Sequence, residues 1–172
     1  MRKLILYIAT SLDGYIAKPN DDLSFLSIVQ KDGEDYGYTK FVETVDTVIV
    51  GRKTYDWVTK QFDFPHSDKD AYIITRTAKP SIGNTKFYTG DISELVKKLK
   101  MEQGKNIFCD GGAEIVTELM KHNLIDEFIL SIIPIFVGKG TRLFKDDRPE
   151  QKLKLIEAKT FDTGLVQLHY KK

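Results

Sequence analysis

Three glycine-containing turns are the first places in this chain where chemistry is expected. They lie at residues 11–14 (Ser-Leu-Asp-Gly), 51–54 (Gly-Arg-Lys-Thr) and 110–113 (Asp-Gly-Gly-Ala), and each follows a short apolar segment. Glycine lets the backbone approach a ligand closely, and a helix that starts after such a turn offers free N–H groups to a phosphate. A connection from a strand to a helix needs such a turn anyway, so each one alone is weak evidence of a site.

Cations and hydroxyls near two predicted strand ends indicate an anion site. They are Arg52, Lys53, Thr54, Thr75 and Arg76. The first three follow Gly51 at a predicted helix start, and the last two follow the next strand. Arg52 and Arg76 can hold phosphates by charge-assisted hydrogen bonds, and a dinucleotide with an extra ribose phosphate would use both. The alternative is that both arginines are simply solvated.

The common glycine fingerprints of nucleotide-binding proteins are missing. Gly138 and Gly140 lack the third glycine of the dinucleotide-binding motif and follow the wrong kind of segment. The Walker phosphate loop is also absent, because no glycine stands five residues before Gly51. A standard Rossmann domain is therefore disfavoured.

Asp110 is the main candidate for a substrate contact or a proton relay, because it ends a predicted strand beside two glycines. The three histidines, His66, His122 and His169, fall in a loop, at a helix end and in the last strand, without metal-ligand spacing. Packed or solvated histidines explain them. Cys109 is expected to be a small core residue rather than a reactive thiol.

Periodicity predicts the elements that position these residues. Short apolar runs predict central strands at 4–9, 47–50, 71–75 and 106–109. A helix is predicted from the cap at Asp91 to a stop at Gly104, and a second one follows the 110–113 turn and ends near residue 123. A strand is predicted at 125–137, and a hairpin at 153–161 and 165–170. The alternation predicts a mixed α/β sheet with helices on both faces and a C-terminal antiparallel hairpin.

Composition sets the outer limits. The chain has 172 residues, 41% of them apolar, which predicts one domain over residues 1–172. The 26 Lys and Arg residues balance 25 Asp and Glu, so neither nucleic acid nor a membrane surface is an expected partner. A single cysteine excludes an internal disulfide framework and fits a reducing compartment. The apolar run at 4–9 is too short for a signal peptide or a membrane span, so a cytoplasmic location is expected.

Five motifs in order and spacing carry a resemblance to a known family. They are residues 11–17 (Ser-Leu-Asp-Gly-Tyr-Ile-Ala), 51–55 (Gly-Arg-Lys-Thr-Tyr), 75–76 (Thr-Arg), 110–114 (Asp-Gly-Gly-Ala-Glu) and the stretch from Asp126-Glu127 through Pro134 to Gly138-Lys139-Gly140. This order resembles the dihydrofolate reductase superfamily, and most closely the reductase half of the bifunctional riboflavin-biosynthesis deaminase-reductase. The zinc deaminase half is not expected here, because its paired-cysteine signature cannot be written with one cysteine.

The resemblance implies an NADPH-dependent reductase with a three-layer fold around an eight-stranded, mostly parallel mixed sheet. Matching positions assign Arg52, Lys53 and Thr54, after Gly51, to cofactor phosphates, and Thr75 and Arg76 to the adenosine 2′-phosphate. They also assign Gly111, Gly112 and Ala113 to the pyrophosphate, and Ala9 and Thr10 to the nicotinamide. The implied chemistry is hydride transfer to a C=N or C=O carbon of a small substrate. The resemblance also suggests a homodimer, for which the exposed edge and the hairpin are candidates.

Two subfamilies imply different substrates. The riboflavin enzymes reduce the ribose of a phosphorylated aminopyrimidine, but they commonly carry a lysine where Tyr7 stands and a glutamate where Asp110 stands. The dihydrofolate reductase alternative rests on Asp35, which precedes Gly51 by sixteen positions, the offset of the pterin-binding carboxylate in that family. Asp35 is equally explained as a capping or surface residue. A further alternative, of another class, is a nucleotide-binding module without catalysis.

Overall fold

The computed structural model describes residues 1–146 and 148–172. The strands in this part of the chain are β1 (Leu4–Ser11), β2 (Tyr15–Ala17), β3 (Val45–Gly51), β4 (Asp70–Ile74), β5 (Thr85–Tyr88), β6 (Asn106–Gly111), β7 (Glu127–Ile133), β8 (Thr141–Arg142), β9 (Lys154–Thr160) and β10 (Val166–Lys171). The α-helices are α1 (Tyr38–Val42), α2 (Arg52–Thr59), α3 (Ile92–Met101) and α4 (Ala113–Lys121). Two 3₁₀ segments, Pro19–Asp21 and Ser24–Val29, precede α1.

One eight-stranded sheet organises the fold, in the order β5-β4-β3-β6-β1-β7-β10-β9. The six strands from β5 to β7 run parallel, whereas β10 is antiparallel to both of its neighbours. The strands β1, β3 and β6 each contain a continuous apolar run because parallel strands in the middle of such a sheet are covered on both faces. Short β2 and β8 pair with each other outside this sheet.

Alternating side chains of β1 separate the two faces of the sheet. Leu4 and Leu6 pack with apolar residues of α3 and α4, whereas Ile5 and Tyr7 pack with residues of α1 and α2. Successive strand residues point to opposite faces, so one apolar strand serves two cores. The resulting three layers confirm the α/β, dihydrofolate-reductase-like architecture with helices on both faces and the C-terminal antiparallel hairpin, here β9 and β10.

Local capping explains the best-predicted helix. The Asp91 carboxylate accepts hydrogen bonds from the backbone N–H groups of Ser93 at 2.7 Å and Glu94 at 3.0 Å. This cap satisfies N–H groups that have no partner inside the helix. The predicted strand at 125–137 is shorter than expected: β7 ends at Ile133, because Pro134 cannot donate a ladder hydrogen bond. The elements β5 and α1 carried too weak a pattern to be predicted.

Polar contacts stabilise the end of the sheet at which β1 starts, opposite the turns at Gly51 and Gly112. The buried Arg2 guanidinium donates to the Lys105 carbonyl and to the Thr47 hydroxyl, both at 2.6 Å, and pairs with Asp46. The Asp126 carboxylate accepts from the Leu4 N–H at 2.7 Å. In open α/β sheets, ligands bind at the opposite end, where the parallel strands have their carboxyl ends. Among the described helices, none is long and apolar enough to cross a membrane.

Candidate functional site

A cavity of about 620 Å³ opens on one face of the sheet. Its floor is formed by β1 and β7, and its wall by the 3₁₀ segment Ser24–Val29 and the loop at 30–36. Floor residues are Tyr7, Ala9, Ser131 and Ile133. The volume lies in the range of cavities that bind small molecules. A smaller cavity of about 340 Å³, under Tyr72 and Tyr88 beside α3, lies on the other face.

A hydrogen-bonded tyrosine forms part of the cavity floor. The Tyr7 hydroxyl donates to the Tyr36 carbonyl at 3.0 Å and accepts from Gln167 Nε2 at 3.2 Å. Its ring stacks on Phe41, with the ring centres 4.7 Å apart. Burial raises the pKa of Tyr7 more than the Gln167 hydrogen bond lowers it, so the hydroxyl keeps its proton. This position is therefore a neutral polar group where the resembled family commonly carries a cation.

Two predicted glycine turns meet at the carboxyl end of the sheet. Val50 pairs with Gly111 across β3 and β6, and a Cβ added to Gly112 would lie 3.6 Å from Thr54 Oγ1. Gly111 and Gly112 have φ of +96° and +45°, a region that L side chains rarely adopt. Because α2 starts after Gly51 and α4 after Gly112, the free N–H groups of two helix starts lie side by side. Ala113, the first residue of α4, is buried.

The predicted cations lie around the start of α2. Arg52 donates from Nε to Asp56 at 2.5 Å and reaches the Thr75 hydroxyl from Nη1 at 3.5 Å. Thr75 is buried at the end of β4, whereas Lys53 and Arg76 are exposed. The structure therefore brings Arg52 and Thr75 into contact and places Arg76 next to Thr75 in the chain.

The two residues assigned to the nicotinamide have different surroundings. Ala9 lies on the cavity floor, two residues beyond Tyr7 on the same face of β1. Thr10 is buried, and its hydroxyl donates to the Ser11 carbonyl at 2.9 Å. Since strand side chains alternate, the Thr10 side chain points away from the cavity, and Thr10 is not among the lining residues.

Asp35 lies on the exposed rim of the cavity and organises the start of α1. Its carboxylate accepts from the N–H groups of Gly37 at 2.8 Å and Thr39 at 3.0 Å. Hydrogen bonds from the Thr39 hydroxyl and from these two N–H groups hold the pKa of Asp35 below its usual value. Asp35 thus shapes the turn before α1, whose N-cap residue is Gly37, and its carboxylate is ionised at neutral pH. A role for Asp35 in substrate binding stays a prediction.

Asp110 projects from an irregularity in β6. Ile49 pairs with Cys109 but Val50 pairs with Gly111, so Asp110 is an extra residue relative to β3. Such bulges often re-aim a side chain beside a site. The Asp110 side chain is 28% exposed and makes no hydrogen bond to the described residues. It therefore has acceptor capacity available for a ligand.

His66, which the sequence analysis explained as a packed or solvated histidine, lies beside Asp110. It comes from the loop between α2 and β4, yet it is buried, and its Nε2 lies 3.5 Å from Asp110 Oδ2. The only local signal was its position next to Phe64 and Pro65 in an otherwise charged loop. Phe64 packs into the same core as Tyr55 of α2, and this packing places His66, two residues later, in the interior.

Asp13 closes the turn after β1. Its carboxylate accepts from Ser11 Oγ at 2.5 Å and from the N–H groups of Val137 at 3.0 Å and Gly138 at 2.7 Å. Burial pushes the pKa of Asp13 upward, but these hydrogen bonds outweigh it and hold the pKa at about 2. Asp13 thus ties two of the motifs to each other and shapes the turn.

Comparison with known proteins agrees with this architecture. YwjB, an uncharacterized protein of Bacillus subtilis, is 42% identical over 171 residues, covering 98% of this chain and 97% of YwjB. A crystal structure from Shewanella sp. PV-4, provisionally named a riboflavin biosynthesis protein, superposes with a TM-score of 0.88 at 28% identity and 98% coverage of both chains. The bifunctional deaminase and 5-amino-6-(5-phosphoribosylamino)uracil reductase of Thermotoga maritima has the same fold, with a TM-score of 0.74 at 14% identity, over 99% of this chain and 56% of that one.

The family assignment follows from a match over almost the whole chain. Residues 2–167 fit the family model described as the RibD C-terminal domain. The matched segment contains seven of the eight strands of the main sheet, the start of β10, the cavity, and the turns at Gly51 and Gly112. The chain therefore belongs to the RibD C-terminal domain family, within the dihydrofolate-reductase-like fold.

Proposed function

We propose that this protein is an NADPH-dependent reductase that transfers a hydride to a C=N or C=O carbon of a small pyrimidine-like or pteridine-like ring. The proposal rests on one observation: two paired helix starts, which suit phosphates, lie next to the strand that forms the cavity floor. The paired helix starts at Gly51 and Gly112 lie at the carboxyl end of the strands, and the cavity floor at Ala9 lies on the neighbouring strand β1. A cofactor bound at these helix starts can reach the cavity floor.

The residues at the strand ends suit the cofactor. Backbone with positive φ at Gly111 and Gly112 leaves room for a pyrophosphate, and the starts of α2 and α4 offer N–H groups to it. Arg52 and Arg76 supply the cations that a 2′-phosphate requires. When bound, NADPH supplies the hydride. The protein's own task is to hold the ring against β1 and to exclude water.

The cavity lining favours a planar ring without a phosphate. Tyr7, Tyr36 and Tyr38 line it with aromatic surface. Its charged lining residues are Lys31, Asp32, Glu34 and Asp35, three carboxylates against one ammonium group. The Lys31 ammonium also lies 3.4 Å from Asp162, which offsets its charge. An excess of negative charge repels a phosphate group, so a neutral or cationic ring fits better than the phosphoribosyl substrate in the name of the Thermotoga enzyme.

A neutral hydroxyl, that of Tyr38, is available to supply a proton near the Asp110 carboxylate. Burial, and then the nearby charge of Asp110, raise the pKa of Tyr38, so this hydroxyl stays protonated. Hydride addition to a C=N or C=O carbon requires a proton on the adjacent nitrogen or oxygen. We assign Asp110 to accept a hydrogen bond from the substrate and Tyr38 to donate one.

A second candidate is dihydrofolate reduction. It is favoured by one observation, the ionised Asp35 carboxylate on the cavity rim, which can pair with an aminopteridine ring. Because two backbone N–H groups already donate to the Asp35 carboxylate, less of it is available to a ligand, and this is the weaker of the two candidates.

Calorimetric titration with NADPH and NADH, followed by nicotinamide absorbance assays, tests the proposal. The substrates are dihydrofolate, unphosphorylated aminopyrimidines and pteridines, and the phosphoribosylaminopyrimidine. NADPH-selective binding with turnover of an unphosphorylated ring is the expected result. Selective binding without turnover of any substrate would instead favour a nucleotide-binding module, and absence of binding to either nucleotide would remove the reductase assignment.

A further inference from the structure

His66 carries a buried polar atom without a partner. Its side chain is 3% exposed, and among the described residues its Nδ1 is the buried side-chain nitrogen or oxygen that makes no hydrogen bond. Folded proteins pair the great majority of such groups. Because Nδ1 has no partner, any polar contact that explains the position of His66 must involve Nε2.

Packing fixes the direction of the imidazole ring. Phe64 and Phe108 pack against it in edge-to-face contacts. Both ring centres lie 5.5 Å from the centre of the imidazole, and the interplanar angles are 84° for Phe64 and 90° for Phe108. This leaves Nε2 directed at Asp110, with 3.5 Å to Oδ2. The ring therefore cannot turn to another partner without moving the aromatic core around it.

The surroundings of the two nitrogens decide which one carries the proton. A proton on Nδ1 would be an orphaned donor among apolar groups, and buried unpaired N–H groups are rarer than unpaired acceptors. A proton on Nε2 faces a carboxylate instead. The geometry thus favours the tautomer with the proton on Nε2.

We propose that His66 is a positioning residue: its Nε2–H holds Oδ2 of Asp110, so that Oδ1 is presented to an N–H or O–H group of the substrate. The inference rests on the proposed function, because it needs a substrate that Asp110 contacts. Asp110 sits on a bulge and has no hydrogen bond to the described residues, so without His66 its carboxylate has several orientations available. The contact of 3.5 Å is long, and such contacts commonly shorten when a ligand binds.

Nuclear magnetic resonance of the imidazole nitrogens tests the contact without any turnover. The chain has three histidines, so single variants assign the signals. In the native protein we expect the His66 signals to show a proton on Nε2. In Asp110→Leu, which removes the acceptor, we expect a shift of the His66 signals toward a mixture of tautomers. Unchanged His66 signals in that variant would contradict the proposal.

Kinetics test the consequence for Asp110. We expect His66→Phe to lower kcat about 10- to 100-fold, since small displacements of a positioned group have effects of this size, while the affinity for NADPH stays unchanged. His66→Gln retains a side-chain N–H donor and should restore part of kcat. In an Asp110→Leu background, which lacks the acceptor, His66→Phe should cause little additional loss, because the two residues act through one contact. Full additivity of the two losses would overturn the proposal.

Two controls separate the possible failures. His122→Phe removes an exposed histidine that also faces a carboxylate, Glu118 Oε1 at 3.2 Å, and should leave kcat and the His66 signals unchanged. Thermal unfolding of each variant shows whether the fold is kept. If no substrate is turned over, the proposed function fails while the tautomer measurement still decides the contact. If turnover is found and His66→Phe leaves kcat intact, the positioning role fails alone.

Discussion

The guanidinium of Arg52 lies 3.5 Å from the hydroxyl of Thr75 and so joins the first turn of α2 to the end of β4. The two residues are 23 positions apart in the chain and meet because β3 and β4 are neighbouring parallel strands. Arg76 follows Thr75 immediately, which places a second guanidinium at the same sheet edge. This relationship is the basis of the cofactor predictions.

Replacement of Arg52 or Arg76 by alanine should weaken NADPH binding far more than NADH binding. Each change removes a charged hydrogen-bond donor to the 2′-phosphate, with an expected loss of about 1.5–3 kcal/mol. Calorimetric titration measures both affinities. Arg142→Ala is the matched control, because that guanidinium stacks over Tyr15, beside the turn at Gly14 rather than those at Gly51 and Gly112, with 4.8 Å to the ring centre. Equal weakening of both nucleotides would refute the 2′-phosphate assignment.

Gly112→Ala should reduce both stability and cofactor affinity. A side chain at φ of +45° costs about 1–3 kcal/mol of backbone strain, and its Cβ would lie between Thr54 and a bound pyrophosphate. Gly83→Ala serves as the control, since Gly83 also has a positive φ, +56°, but lies in open space. Urea unfolding should show a loss in both variants, and nucleotide titration a loss in Gly112→Ala alone. Normal NADPH affinity in Gly112→Ala would argue against a pyrophosphate at this turn.

The Asp13 carboxylate should contribute stability that depends on pH. Its pKa in the folded protein is about 2, below the ordinary value of 3.8, so the contribution is complete above 3.8 and is lost as the pH falls toward 2. Asp13→Asn should therefore be less stable than the native protein at pH 7, and the difference in free energy of unfolding should shrink below pH 4. Urea unfolding between pH 7 and pH 3 measures it. Asp63→Asn, in an exposed loop, controls for the loss of a charge, and a difference independent of pH would count against these hydrogen bonds.

Removal of negative charge from the cavity rim should improve binding of anionic substrates. The double variant Asp32→Asn, Glu34→Gln keeps the side-chain oxygen of Glu34 that accepts from the Tyr36 N–H at 2.7 Å. We expect the affinity for a phosphorylated ring to rise by about 0.5–1 kcal/mol per removed charge at low salt, and less at high salt. Michaelis constants for phosphorylated and unphosphorylated rings at two salt concentrations test this. The unphosphorylated ring is the internal control, and the same change for both rings would show that charge does not select the substrate.

Local sequence was sufficient for much of the fold. The cap at Asp91, the apolar runs of β1, β3, β4 and β6, and the hairpin of β9 and β10 are short-range signals that the structure confirms. They are readable because capping, strand burial and tight turns depend on residues close together in the chain. The order of the glycine turns also carried the family resemblance.

The arrangement around Asp110 depended on tertiary packing. His66 lies 44 positions before Asp110 and reaches it only because Phe64 and Phe108 join the same core. The bulge that isolates Asp110 exists only in the pairing of β6 with β3. Local patterns contain neither fact, since both arise from contacts between segments far apart in sequence.

The same division explains Asp35 and Thr10. Residue type and offset made Asp35 a candidate substrate ligand, but the path of the chain into α1 directs two backbone N–H groups at its carboxylate. Thr10 is adjacent to Ala9, yet strand alternation turns its side chain to the opposite face. Sequence determined which groups were present and near which turns, whereas the packing of distant segments determined which of those groups face the cavity.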